Sequence, residues 1–232
     1  MKYPSVLVAC PQSDVKAYCF DDWLMNVSRF TYPNFAVYMA DNSSKNNFSR
    51  KIRQLGIGCD WVKPFGKSLM QRMAESHELC RKVALEKGFQ YLLHLESDVF
   101  PPVNIIEQLL AARKSVVGAV YHIGQGYASE PMVQLVEPTD DDNFIATRYL
   151  RESGPEFFDG TIKKVFHAGL GCLLIHRSVL PHFQFRYEKG RNFHPDSFFA
   201  MDLYRKGIEV HVDTGILCQH RNTTHSVAEI LN

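Results

Sequence analysis

The sequence predicts an α/β fold, built on a mostly parallel sheet with helices on both faces. Three observations predict it. Short apolar runs alternate with helical periods from residue 5 to residue 121. Proline or glycine closes most of these segments. Polar side chains cluster where the strands stop, at Asp41, Glu96, Asp98 and His122. Strands alternating with helices of this length make a parallel sheet, because parallel neighbours need a crossover between them.

The elements follow in order. Ser5–Cys10 (SVLVAC) reads as the first strand, broken by Pro11. Tyr18–Arg29 reads as a helix, with Phe20, Trp23, Leu24 and Val27 at three- and four-residue steps. Phe35–Ala40 is the second strand, running into the turn and capping residues Asp41-Asn42-Ser43-Ser44. Lys45–Leu55 is a helix closed by Gly56, and Cys59–Val62 a third strand ended by Pro64. Ser68–Lys87 is a long helix whose apolar stripe is Leu69, Met73, Cys80, Val83 and Ala84, with Gly88 as its stop. Tyr91–Leu95 is the central strand, Val103–Lys114 a helix, and Val116–Tyr121 a further strand.

The rest of the chain reads differently. Residues 123–164 are rich in glycine, proline and acids. They read as loops and small strands, with a hairpin containing Met132–Val136 and a solvated acidic turn at Asp140-Asp141-Asp142. Val165–Ile175 is strand-like, and Gly169 and Gly171 let its backbone come close to something. Pro195–Lys206 is a helix, and Val210–Val212 and Ile216–Cys218 are two short strands before His220. One domain spans 1–232, with 1–122 and 123–232 as its two halves.

Composition narrows the function classes. The 232 residues are 45% hydrophobic and 22% charged, with a net charge of +1. That balance excludes a protein whose bulk charge coats nucleic acid or a membrane. No apolar run nears the roughly 20 residues that span a bilayer. Six scattered cysteines without a CxxC pair read as buried thiols of a reducing compartment, so a cytoplasmic location is expected.

The stretch Tyr91–Pro102 (YLLHLESDVFPP) carries the chemistry. It ends a buried strand with Glu96 and Asp98, which share a face if the chain is still extended. Ligands bind where such strands stop. Two carboxylates side by side repel, and a divalent metal relieves that repulsion while offering a seat to a phosphorylated ligand. An acidic turn after a core strand is the plainer alternative.

Asp41, Glu96-Ser97-Asp98, Asp196 and His220 now stand in chain order. This order resembles the nucleotide-sugar glycosyltransferases of the GT-A fold, especially the large family 2 group. PDSFFAMDLYRKG is similar to that family's E-D helix, with Pro195 in place of Glu. AGLGCLLIHR (168–177) and DTGILCQH (213–220) are similar to its Gly-rich segment and its closing strand with a metal-binding His. Glu96 stands where its DXD motif has the first Asp.

The resemblance implies a transferase that moves a sugar from a nucleoside diphosphate sugar, expected to be a UDP-sugar, with Mn²⁺ or Mg²⁺, and it makes 1–122 the nucleotide-binding half and 123–232 the acceptor-side half. It implies Asp98 and His220 as metal ligands, and Glu96 on the ribose or on the metal through water. Asp41, Pro11, Gln12 and Ser97 fall in the nucleotide pocket, and Lys67 or Arg72 meets the diphosphate. Asp196 is the general base if the reaction inverts the anomeric centre, or a sugar ligand if it retains it. His122 and His167 lie near the sugar site. Asn192, His194 and Trp23 are candidates for acceptor contact, and the acceptor itself is a glycan, a protein or a modified base in DNA. Arg148, Arg151, Lys163 and Lys164 would supply a basic surface for DNA, or are simply solvated. Two other functions stay open: a nucleotidyltransferase, although PQSDVKAY after the first strand has no glycine and one lysine, and a non-catalytic sugar- or nucleotide-binding module.

Overall fold

A computed structural model describes residues 3–124, 130–137, 148–151, 155–190 and 194–221. The acidic triplet at 140–142 and Asn192 lie outside them. The expected strand–helix alternation is present: β1 (Val6–Gln12), α1 (Phe20–Ser28), β2 (Phe35–Asp41), α2 (Asn47–Gln54), β3 (Gly58–Trp61), α3 (Leu69–Glu86), β4 (Tyr91–Leu95), β5 (Val99–Phe100), α4 (Ile105–Ala111) and β6 (Val116–Val120). Then come β7 (His122–Ile123), β8 (Glu130–Pro131), β9 (Gln134–Glu137), β10 (Arg148–Arg151), β11 (Ile162–Val165), β12 (Cys172–His176), α5 (Pro195–Arg205), β13 (Val210–Leu217) and β14 (Gln219–His220).

Among the described residues, eight strands form the main sheet in the order β11-β13-β6-β12-β4-β1-β2-β3. Pairing is parallel from β3 through β2 and β1 to β4, and again between β6 and β13. β12 wedges antiparallel between β4 and β6, and β11 runs antiparallel to β13. Apolar clusters cover both faces: Phe20, Trp23, Ile52, Ile106 and Leu109 on one, Leu7, Cys80, Leu92, Phe199 and Leu203 on the other. Strands buried on both faces explain the unbroken apolar runs of the sequence.

Several expectations shift. Pro11 does not break the first strand: β1 runs through it to Gln12, with Pro11 opposite Ala40. Val165–Ile175 is not one strand: it breaks between β11 and β12, where residues 166–171 turn through Gly169 at φ +66°. Val210–Val212 and Ile216–Cys218 are one strand, β13, with a register shift after Asp213, whose carboxylate accepts from the Gly215 amide at 3.0 Å. The small hairpin pairs β9 with β10, one step later than Met132–Val136. Trp23 is fully buried in the core, so it is no acceptor contact. All six cysteines are free and buried, as their scatter implies.

Candidate functional site

One cavity of about 490 Å³ opens at the carboxyl ends of β1, β2 and β4. Pro11, Gln12 and Asn42 line one part; Lys16, Glu96 and His220 another; His77, His167, His194 and Asp196 a third. The volume falls within the roughly 300–1,000 Å³ usual for small-molecule sites.

The first part is built by strand ends. Gln12 closes β1, is 1% exposed, and its side-chain amide nitrogen and oxygen have no partner among the described residues. A buried carboxamide left open at a cavity wall is ready to pair with a ligand edge that offers both a donor and an acceptor. Asp41, expected in this pocket, is fully buried and does not line the cavity; its neighbour Asn42 does. Asp41 Oδ1 instead accepts from the Ser43 amide at 2.9 Å and hydroxyl at 2.5 Å. Burial raises its pKa, against the pull of those hydrogen bonds.

The middle part is where the acids gather. β5 pairs antiparallel with β14, setting His220 opposite Val99, and the Arg221 amide donates to the Asp98 carbonyl at 2.8 Å. That ladder brings His220 Nε2 to 3.3 Å from Asp98 Oδ2 across more than a hundred residues of sequence. His220 Nδ1 donates to the His122 carbonyl at 2.6 Å, so the neutral ring aims its Nε2 lone pair at the carboxylate. Such a pair is stable when the ring is protonated or when a cation binds both groups. Burial alone would lower the His220 pKa, but Asp98 outweighs it and raises it. Burial likewise opposes ionisation of Asp98, yet His220 and Lys16 hold its pKa below the usual carboxylate range.

Lys16 is the residue that sequence reasoning left out of the site. It sits in a 3₁₀ turn, Asp14–Cys19, directly after β1. Its ammonium lies 2.9 Å from Asp98 Oδ2 and 3.5 Å from Glu96 Oε2. The turn is held by Asp14, whose amide donates to Ser43 Oγ at 2.8 Å. The only sequence signal was a lone lysine in the loop after the first strand. The two cations expected at the diphosphate are engaged elsewhere: Arg72 donates to the Asn42 carbonyl at 2.7 Å, and Lys67 pairs with Glu75 at 2.5 Å. Neither lines the cavity, and Ser97 is buried outside its lining.

The third part centres on Asp196, in the first turn of α5, where the helix dipole favours a negative charge. His194 Nδ1 lies 2.8 Å from Oδ1 and His167 Nε2 3.7 Å from Oδ2. Burial pushes the Asp196 pKa up, but the imidazoles outweigh it and hold the group well below the ordinary range. Burial lowers the His194 pKa, and Asp196 more than reverses that. Behind them, His94 Nδ1 donates to the Leu170 carbonyl at 2.8 Å, and His77 Nδ1 donates to His94 Nε2 at 2.8 Å. Carbonyl oxygens only accept, so both tautomers are fixed and His77 carries its lone pair on Nε2. Burial lowers the pKa of both rings.

The close approach expected at Gly169 and Gly171 is to Tyr121. Its hydroxyl accepts from the Gly171 amide at 3.1 Å, and its ring stands edge-on to His220, centroids 5.5 Å apart. Phe198, Phe199 and Met201 are core, as read. Lys163 and Lys164 are paired with Asp159 and Glu209, so neither offers a free basic surface.

The donor set can be tested against a divalent metal. Among the described residues no group of three or more His, Cys, Asp or Glu is arranged to hold one. Asp98 and His220 converge as two donors, and the hydrogen bond from His220 Nδ1 to a carbonyl is the usual outer support of a metal-binding imidazole. Mg²⁺ is commonly held by one or two carboxylates plus substrate phosphates, so two protein donors fit an ion completed by a ligand. No helix among the described residues is long and apolar enough to cross a membrane.

No protein-family profile matches the chain, and neither does any curated protein sequence. Solved structures do. The crystal structure of GalNAc-T7 with UDP, GalNAc and Mn²⁺ superposes at a TM-score of 0.64 with 12% identity, over 97% of this chain and 45% of that one. TarS of S. aureus superposes at 0.55 with 12% identity, over 97% of this chain and 38% of that one. The CMP:2-keto-3-deoxy-manno-octonic acid synthetase complexed with CTP superposes at 0.53 with 14% identity, over 98% and 97%. The chain spans less than half the length of the two glycosyltransferases. The likeness shows the GT-A fold, a mixed α/β sheet flanked by helices, which glycosyltransferases and a nucleotidyltransferase share.

Proposed function

We propose that this GT-A-fold chain transfers a sugar from a nucleoside diphosphate sugar to an acceptor hydroxyl. The observation that carries the reading is the set of groups gathered at one cavity: the open Gln12 amide, Lys16, Glu96 and His220 with Asp98 buried directly behind them, and Asp196 with His194. Such a set offers partners to each part of the donor: its base, its diphosphate and its sugar. Gln12 pairs with the edge of a pyrimidine, beside Pro11 and Asn42. Lys16 faces the diphosphate in place of Arg72 or Lys67. A Mn²⁺ or Mg²⁺ held by Asp98 and His220, with Glu96 on the ribose or a bound water, would stabilise the charge that grows on the leaving diphosphate. Asp196 takes the acceptor proton together with His194, which the carboxylate orients and makes more basic. The mobile charge therefore rests on an imidazole whose pKa lies nearer neutrality than that of Asp196. GalNAc-T7, crystallised with UDP, GalNAc and Mn²⁺, lends support from the same fold.

The test is turnover of a panel of UDP-, CDP- and GDP-sugars with Mn²⁺, followed by release of free nucleoside diphosphate. Asp98→Asn should abolish it and Gln12→Ala should weaken donor binding by about tenfold, the value of one or two hydrogen bonds. Binding without turnover across the panel would leave a sugar-nucleotide-binding module instead. A second reading has one specific point in its favour: the synthetase bound to CTP matches nearly the whole of both chains. A nucleotidyltransferase would release pyrophosphate from CTP or UTP in the presence of a sugar acid, which the same assay distinguishes. The single lysine and absent glycine after β1 place it second.

A further inference from the structure

The acid pair already has a cation. Lys16 Nζ stands 3.0 Å from Asp98 Oδ1, 2.9 Å from Oδ2 and 3.5 Å from Glu96 Oε2. Asp98 is 2% exposed, so its charge cannot lean on water. His220 shares Oδ2 with the ammonium. Both oxygens of the one carboxylate expected to ligate a metal are thus occupied by positive or protonated groups. A divalent ion on Asp98 would lie within a few ångströms of the ammonium, against a repulsion that grows as water is excluded.

We infer that Lys16 is a built-in competitor for the cation seat: it neutralises Glu96 and Asp98 in the free protein, and a divalent ion binds Asp98 and His220 only when the ammonium leaves. The exit is local. The turn that carries Lys16 lies on the cavity wall, its side chain is about one-third exposed, and the long stem lets the ammonium swing toward the cavity while the backbone stays tied to Ser43. A diphosphate in the cavity offers the displaced ammonium a new partner. Metal and nucleotide therefore bind with positive cooperativity, and free protein is a poor metal binder. The inference rests on the Asp98–His220 seat proposed above, not on sugar transfer, so it stands even if no sugar is moved.

The experiment uses the full chain and Mn²⁺ alone, with free Mn²⁺ counted by electron paramagnetic resonance. Wild type should bind weakly. Lys16→Met should bind about tenfold or more tightly, because a unit charge next to a divalent ion is gone. Lys16→Arg should gain nothing. Equal or weaker binding by folded Lys16→Met overturns the inference. If Lys16→Met does not fold, wild type with ¹³C-methylated lysines is titrated with Mg²⁺. The Lys16 resonance, assigned by its loss in Lys16→Arg, should move in step with the His220 ring signals. A Lys16 signal that stays put while His220 shifts overturns it, as does a protein that takes up no divalent ion in either form.

Discussion

Gly171→Ala isolates the contact between residue 171 and Tyr121, whose ring leans on His220 of the proposed cation seat. A Cβ on residue 171 would meet Tyr121 at 2.5 Å (Cζ), 2.7 Å (Cε1) and 2.9 Å (Cε2), and all three nearest atoms belong to that one ring. Ordinary contact begins near 3.4 Å, so the ring must give by about 0.9 Å. It has little room: Tyr121 is 5% exposed, its hydroxyl is tied to the Gly171 amide, and its edge rests on His220. Overpacking of this kind costs about 1–3 kcal/mol, and losing the hydroxyl's hydrogen bond about 1 more. Urea unfolding should therefore show Gly171→Ala destabilised by about 2–4 kcal/mol. Tyr121→Leu ends at Cδ and removes every clashing atom, so adding Gly171→Ala to that background should cost under about 0.5 kcal/mol, a coupling of about 2 kcal/mol. Equal cost in both backgrounds would refute the assignment of the strain to Tyr121. The same push bears on His220, so Mn²⁺ affinity should fall alongside stability.

Three further outcomes are expected. In Asp196→Asn the pKa of His194, followed by its imidazole NMR signal, should drop, because Asp196 is the main group that opposes burial there. In wild type the pair's stabilisation is greatest between the carboxylate and imidazole ranges. The His194 contribution, from a raised pKa, fades as pH rises through the folded value; the Asp196 contribution, from a lowered one, fades as pH falls through its own. His77 and His94 act in the opposite sense to His194: held neutral by burial, they cost stability as pH falls below about 6.5, by up to about 1.4 kcal/mol per pH unit each. His77→Gln should flatten the stability–pH slope below 6.5 by about one proton's worth, as read by chemical denaturation at several pH values. Asp41→Asn should change stability by less than about 1 kcal/mol, since the amide oxygen still accepts from Ser43 and a buried charge is removed; Asp41→Ala should cost about 1–3 kcal/mol by orphaning the Ser43 amide.

Much of this was legible in the chain. Apolar runs bounded by Gly56, Pro64 and Gly88 marked the first elements, because period and punctuation are local properties; Pro11, read as a breaker, instead sits inside β1 opposite Ala40. Glu96, Asp98, Asp196 and His220 were legible as candidates from their places at strand ends and a helix start, and the fold brings Glu96, Asp196 and His220 to one cavity with Asp98 3.3 Å from His220. Gly169 and Gly171 announced a close approach without naming Tyr121 as its partner.

What the sequence could not decide is which charges meet. Lys16 and Asp98 are far apart along the chain, and Lys16 was only a lone lysine after the first strand until β1 and β4 were paired and the 3₁₀ turn was hooked to Ser43. Arg72 looked like a phosphate ligand until α3 turned it onto the Asn42 carbonyl. Asp41 looked like a nucleotide-pocket residue until the end of β2 was buried and its carboxylate closed onto Ser43. Local pattern sets where a strand begins and ends; partners across the sheet are chosen by register and packing, and only the folded chain contains those.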